Sequence, residues 1–181
     1  MGGDQSFDRA MNWLMLHEGE WSNHPSDPGG VTRWGVSLRW LKSLPLDVGD
    51  FDGDGEITVD DLRAMTAHDR DELFRQRWWL PYRYDSFADL SIAKRVFSAS
   101  VNMGFNSSHK ILQRAIRSAT GVNLVDDGVL GTKTMTALPR DVNLALLGAL
   151  KSETAGFYRL LARTRPDLAV FETGWLNRAY A

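Results

Sequence analysis

Two carboxylates near the start of the chain have the types and surroundings of an acid/base pair. Glu18 extends the stripe made by Phe7, Met11 and Leu14, the face that an N-terminal helix should bury. Carboxylates are almost never fully buried without a partner or a task. Trp13, Trp21 and Trp34 lie close to it in sequence, and an apolar wall of that kind favours the protonated, proton-donating form of a carboxyl group. Nine residues on, Asp27 sits in the turn Pro25-Ser26-Asp27-Pro28-Gly29-Gly30, a polar setting in which a carboxylate stays ionised. One protonated and one ionised carboxyl across a cleft is the equipment of glycoside hydrolysis. The plainer alternative is a helix ending in water at Glu18, with Asp27 shaping an Asx turn.

A second constellation is built for a cation. From Asp50 the chain reads D-F-D-G-D-G-E-I-T-V-D-D. Asp50, Asp52, Asp54 and Asp61 fall at loop positions 1, 3, 5 and 12, with Gly55 at 6, Ile57 at 8 and the main-chain carbonyl of Glu56 at 7. That is the register of an EF-hand calcium loop, which wraps oxygen ligands around one point. Position 12 is Asp rather than Glu, and Pro45–Gly49 stand where an entering helix would be, so the segment resembles a single dockerin-type repeat. One structural calcium ion of modest affinity is expected, with no cofactor for catalysis; the alternative is a solvated acidic loop.

The elements that position these residues read as helices. Ser6 is a candidate N-cap for the first helix, and Gly, Pro, Asn, Asp and Ser dominate the loop after Glu18. A short helix through Leu38, Leu41 and Leu44 stops at Pro45. Thr66 with Asp69 forms a capping-box pattern opening a helix through Leu73, Phe74 and Trp78. Further helices follow through Leu90–Gly104, through Ile111–Ala119 to Gly121, over Thr132–Leu138 and over 142–163, the last stopped by Arg165–Pro166. No convincing alternation of apolar and polar residues occurs. The fold class is therefore all-α, a single compact unit with at most a small β-hairpin.

Composition narrows the choice of function. The 181 residues are 43% hydrophobic and 24% charged and include no cysteine, which excludes a disulfide scaffold, a thiolate metal site and a cysteine nucleophile. Ten of the 23 acids but only two of the 21 Lys and Arg lie in 47–72, so the rest carries a net charge of +6. A basic body suits an anionic partner, yet the basic residues are scattered, so nucleic acid is not expected. Arg159, Arg163 and Arg165 read as a solvated face. No apolar run reaches transmembrane length, and the start of the chain lacks the pattern of a signal peptide. No stable membrane insertion is expected, and synthesis in the cytoplasm is.

The string His17-Glu18-Gly19, Asn23, Pro25-Ser26-Asp27-Pro28-Gly29-Gly30, Thr32 and Trp34-Gly35-Val36 resembles the signature of glycoside hydrolase family 108, N-acetylmuramidases that include many phage endolysins. Arg77-Trp78-Trp79 is similar to the aromatic stretch after that family's central helix. Ser100-Val101-Asn102-Met103-Gly104, Leu112-Gln113-Arg114-Ala115 and Asp127-Gly128-Val129-Leu130-Gly131 are similar to the peptidoglycan-binding half that accompanies it. The resemblance implies a lysozyme-like helical fold, Glu18 as catalytic acid, and Asp27 and Thr32 as the residues that position or activate water. It also implies a monomer cutting bacterial peptidoglycan during host lysis, reaching the wall from the host cytoplasm after a holin permeabilises the membrane. Residues 1–95 are then the catalytic region, 47–62 the inserted calcium segment, and 96–181 a peptidoglycan-binding region packed on it. Glu20 and His24 depart from the family pattern and bear on loop shape.

Trp34, Trp78, Trp79 and Asn102 are the candidate substrate contacts. Trp78 and Trp79, like Tyr82 and Tyr84, are suited to sugar stacking and equally suited to a core. Asn102, on an otherwise apolar helix, is a buried hydrogen-bonding residue or a sugar contact. Two other classes of function remain: a calcium-dependent docking module, and a cell-wall binding protein without catalysis. Neither requires Glu18 or the Asp-Pro-Gly-Gly loop.

Overall fold

A computed structural model describes residues 2–23 and 30–181. Helix α1 spans Gly2–Met15 and buries Phe7, Ala10, Met11 and Leu14. It starts before Ser6 and ends three residues short of Glu18. The last turn tightens, with the His17 amide bonding to Leu14 O, and the His17 ring donating from Nδ1 to Trp13 O at 2.9 Å. These bonds satisfy carbonyls that a helix end leaves without partners, and they swing Glu18 off the helix axis.

Three two-residue strands follow, β1 (Trp21–Ser22), β2 (Thr32–Arg33) and β3 (Val36–Ser37), in an antiparallel meander. The β2–β3 turn is the two residues Trp34 and Gly35, with φ of 51° and 82°, the type I′ geometry whose twist suits a hairpin. A tryptophan seldom accepts that conformation. Here the Arg33 guanidinium lies 3.8 Å and that of Arg70 5.3 Å from its ring centre, which offsets the strain. The sheet is thus one strand larger than a hairpin, in an otherwise all-α protein.

Short helices α2 (Leu38–Leu41), α3 (Leu46–Gly49) and α4 (Val59–Ala64) bracket the acidic segment; contrary to expectation, a helical turn started by Pro45 does lead into the loop at Asp50. Helix α5 (Ala67–Phe74) opens with the expected Thr66–Asp69 capping box and continues as a π-helical turn over Arg75–Trp79. Helix α6 (Leu90–Met103) runs unbroken through 95–96 and meets α7 (Phe105–Thr120) at Gly104, whose φ of 84° allows the chain to reverse with a single residue. Helices α8 (Thr132–Ala137) and α9 (Leu144–Thr164) follow. Beyond Pro166 the chain continues through a 3₁₀ segment, Pro166–Phe171, into α10, Glu172–Tyr180. Among the described residues no helix is long and apolar enough to cross a membrane.

Helix α6 is the axis, packing on α1 and α7, and α7 packs along α9. Phe97 on α6 gathers Phe74, Trp79 and Tyr84 around it, with Phe74 and Trp79 edge-on at 6.1 and 5.4 Å. A smaller cluster of Ala155, Tyr158 and Ala179 ties α10 to α9.

The turn at 126–131 is held by buried polar groups of α7. His109 Nδ1 donates to Gly128 O at 3.1 Å, so its Nε2 accepts from the Tyr84 hydroxyl at 2.7 Å. Gln113 receives the Gly128 amide and donates to Asp127, Val129 O and Thr134. Burial depresses His109 to about 4 from an ordinary value of 6.5, despite the opposing pull of the Gly128 carbonyl. A depressed histidine contributes stability that is whole above pH 6.5 and is lost as pH falls towards 4. Wild type should therefore lose about 2–3 kcal/mol over that range beyond the loss in His109→Gln. Urea titrations at pH 7 and pH 4 test this; equal losses in both proteins would refute the role given to His109.

Candidate active site

A cleft of about 640 Å³ opens between the N-terminal loop and the C-terminal helices. Glu18, Thr32 and Asn102 line it together. Glu18 comes from the turn after α1, Thr32 from β2, and Asn102 from the last turn of α6. Gly35 supplies part of the wall behind Glu18: a Cβ there would lie 3.6 Å from the Glu18 side chain and 3.4 Å from the Phe74 ring. Asp27 lies outside the described residues. Thr32 Oγ1 makes a long contact of 3.4 Å to Gly30 O, which leaves the hydroxyl free to reorient.

The polar partner of Glu18 is an arginine 160 residues away. Arg178 Nη1 donates to Glu18 Oε1 at 2.6 Å, and Nη2 to His17 O at 2.7 Å. Both side chains are only 13% exposed, so the pair is shielded from solvent and the charges act at lower dielectric than on a surface. One guanidinium thus fixes the carboxylate and also closes the helix end from which it projects. The expected tryptophan wall is not what surrounds Glu18. Trp13 turns to the His17 ring, 4.5 Å between centres; Trp21 is on the exposed edge strand, and Trp34 lies under its two arginines.

The three tryptophans expected to touch substrate are elsewhere. Trp79 is 1% exposed and packed edge-on against Phe7, Tyr84 and Phe97. Trp78 leans on Trp40 at 6.0 Å, and Trp34 holds the hairpin turn; none of them lines the cleft. Burial places the Tyr84 hydroxyl far above its usual range, and Tyr82 stacks on Phe105 at 4.9 Å. The aromatic lining comes instead from Phe157, Tyr158, Phe171 and Trp175. Tyr158 stacks on Trp175 at 5.2 Å and donates its hydroxyl proton to Asn102 Oδ1 at 2.8 Å. Asn102 is therefore an exposed cleft residue, held by its carbonyl oxygen, rather than a buried one. Arg178 and Trp175 lie on α10, beyond the Arg165–Pro166 stop signal that ends the last helix expected from sequence. The spacing of Phe171, Trp175 and Arg178 along one helical face was the available signal.

In the acidic segment, one oxygen each of Asp50, Asp52 and Asp54 lies within 4.8 Å of the others. Their carboxylates also accept amides within the loop: Gly53 and Gly55 to Asp50, Asp54 to Asp52, and Glu56 to Asp54. Desolvation, then the charges of Asp54, Asp61 and Asp50, raise Asp52 above the usual carboxylate range. Asp61 is fully buried and stands apart from the other three. Its oxygens accept the amides of Phe51, Asp52 and Thr58, closing the capping box of α4. The Glu56 side chain is exposed and outside the trio.

A small helical domain with a glutamate at the rim of a long aromatic-lined cleft defines the lysozyme-like class of glycan hydrolases. The chain belongs to the glycosyl hydrolase 108 family, whose model matches residues 11–104, and residues 107–180 match the model of a predicted peptidoglycan domain. It is a glycoside hydrolase directed at peptidoglycan. Among solved structures it is similar to that of Brucella abortus SagA, with a TM-score of 0.75 and 21% identity over 98% of this chain and 91% of that one; that likeness is one of fold. No curated protein sequence matches it at a significant level. The two family matches part at residues 104 and 107, around the Gly104 reversal.

The Glu18–Arg178 pair can be measured directly. Arg178→Gln should cost about 1.5–3 kcal/mol, since it leaves a shielded carboxylate unpaired. Glu18→Gln in the Arg178→Gln background should cost much less than in wild type. A double-mutant cycle by urea denaturation should give a coupling above about 1 kcal/mol; a coupling near zero would mean that Arg178 does not hold Glu18.

Proposed function

We propose that the protein is an N-acetylmuramidase, cutting the β-1,4 bond between N-acetylmuramic acid and N-acetylglucosamine. The observation that carries the reading is Glu18, clamped by Arg178 in a cleft shared with Thr32 and Asn102, in a member of this hydrolase family. Glu18 is the general acid, donating a proton to the glycosidic oxygen as the bond breaks. Arg178 donates to Oε1 and fixes the orientation of the side chain, so Oε2 is the oxygen that would carry and deliver the proton. Asp27 and Thr32 orient the water that takes the place of the departing sugar. The Phe171–Trp175 face and Asn102 hold the glycan, aromatic rings meeting the apolar faces of the sugars and the amide their polar groups. The biological role proposed is wall degradation during host lysis by an enzyme of phage type, made in the cytoplasm and released by a holin. We propose that it acts as a monomer.

Mass spectrometry of digested peptidoglycan tests the reaction: new reducing ends should be N-acetylmuramic acid, and released peptides or uncut glycan would overturn it. Glu18→Gln should lower the rate at least about 100-fold, the lower range of general acid catalysis. Asp27→Asn should also cost activity strongly, and normal turnover in that variant would remove Asp27 from the scheme.

The acidic segment is proposed to hold one structural calcium ion. Asp50, Asp52 and Asp54 present converging oxygens of the hard, anionic type that calcium prefers, and the Glu56 carbonyl falls at the next ligand position; Asp61, whose oxygens hold the amides of Phe51, Asp52 and Thr58, supports the loop rather than joining the trio. Bound cation removes the repulsion within the trio and takes no part in bond breaking. At a hundred times Kd it would add about 2.7 kcal/mol, or about 5–10 °C in a domain of this size. EDTA should lower the melting temperature and millimolar calcium restore it, with no response in Asp50→Ala/Asp52→Ala. A melting curve indifferent to both reagents would leave a solvated acidic turn.

A further inference from the structure

Asn102 stands on the last turn of α6 at the wall of the cleft, and its Oδ1 receives the Tyr158 hydroxyl proton at 2.8 Å. Burial sets the direction of that bond. Tyr158 is 1% exposed and stacked on Trp175, and among the described residues its hydroxyl has no acceptor other than Asn102. Were the amide turned over, Nδ2 would donate to the phenol oxygen and the phenol's own proton would be buried unpaired, a costly arrangement. Burial also pushes the phenol up, so it keeps its proton. The amide is therefore locked, with its carbonyl on Tyr158 and its NH2 group left over. Asn102 is exposed at the cleft, and among the described residues that NH2 group meets no acceptor. The cleft thus presents a donor that cannot turn round to accept.

The surroundings narrow what this donor receives. Val101 and Met103 flank it in sequence, and Phe157, Leu161 and Leu168 extend the apolar lining of the same cleft. Sugar hydroxyls, which both donate and accept, have counterparts on the sheet instead. Ser22, Thr32 and Ser37 are register partners on β1, β2 and β3, so their side chains share one face, and all three line the cleft. Glu18 is the only carboxylate among the described lining residues, and Arg178 is bound to it. An ammonium group entering the cleft would meet a guanidinium and no unpaired carboxylate. A fixed donor beside apolar side chains fits a group that pairs a permanent acceptor with a methyl, and in a glycan of amino sugars that group is the acetamide. Resting on the muramidase reading, we infer that Asn102, locked by Tyr158, reads the acetamido carbonyl of the glycan, so that glycan with free amino groups is a poor substrate. Asn102 touches the sugar; Tyr158 acts through it as a positioning residue.

The test gives the full chain two forms of one substrate: peptidoglycan as isolated and the same material N-deacetylated, with chemical re-N-acetylation as control. New reducing ends give kcat/KM on each. Wild type should prefer the acetylated form by at least about tenfold, the worth of one hydrogen bond, and re-acetylation should restore the rate. Asn102→Asp puts an acceptor where the donor was and should narrow that preference about tenfold. Asn102→Ala, which removes the donor without adding charge, should narrow it as well and serves if Asn102→Asp does not fold. Tyr158→Phe keeps the ring on Trp175 but lets the amide turn over, and should narrow it about threefold. The ratio cancels losses common to both substrates, so a merely structural role would leave it unmoved. Equal turnover of both forms by wild type, or an unchanged preference in the Asn102 variants, overturns the assignment; an unchanged preference in Tyr158→Phe alone removes the tyrosine from it. Failure of wild type to cut fully acetylated material would instead overturn the muramidase reading. Titration with N-acetylglucosamine trimer against glucosamine trimer would then still read the acetamido preference.

Discussion

The clamp of Arg178 on Glu18 and His17 O is the contact on which the cleft end of the molecule depends. A helix that ends inside a protein leaves carbonyls without donors, and a carboxylate placed beside that end meets the unfavourable pole of the helix. A single planar guanidinium answers both problems, because its fork reaches a carboxylate and a carbonyl at once. The side chain comes from α10, so the helix that closes the chain is also the one that completes the site. The rest of the C-terminal half serves this placement. Tyr158 and Trp175 stack to fix α10 against α9, and the Tyr158 hydroxyl then reaches across to Asn102 on α6.

Much of the fold was legible because the helices bury one face each and carry their own stop signals. The capping box at Thr66 and Asp69, the closing Gly121 and the reversal at Gly104 are local chemistry, readable within a few residues. Glu18 was legible as a carboxylate in line with an apolar stripe, although the helix itself ends at Met15. The surroundings of Glu18 were not legible. Adjacency suggested three nearby tryptophans, yet a turn sends each of them elsewhere, and the true partner is 160 residues distant. A tertiary ion pair leaves no periodic trace.

The aromatic residues show the same division. Trp78 and Trp79 have the composition of a sugar platform, but a π-helical turn over Arg75–Trp79 points Trp79 into the centre of the core, where Phe97 receives it edge-on. Nothing in residue type separates a stacking tryptophan from a packing one. What decides is whether a concave surface lies beside it, and the only long cleft among the described residues that also holds Glu18 runs past Phe171 and Trp175.

The acidic segment and the β2–β3 hairpin are joined by one further guanidinium. Arg33 Nη1 donates to the carbonyls of Leu62, Arg63 and Met65 at 2.6, 2.7 and 3.0 Å, capping the end of α4, while the same side chain covers Trp34 in the hairpin turn. The other end of α4 is closed by Asp61, whose carboxylate gathers amides from the acidic loop. Order in residues 50–61 therefore fixes α4, α4 fixes Arg33, and Arg33 fixes the strand that carries Thr32. An ion in that loop would act on the cleft through this mechanical route. The 47–62 segment reads as an insertion in sequence and as a buttress in the structure, because its exit helix is capped by the residue next to the threonine in the cleft.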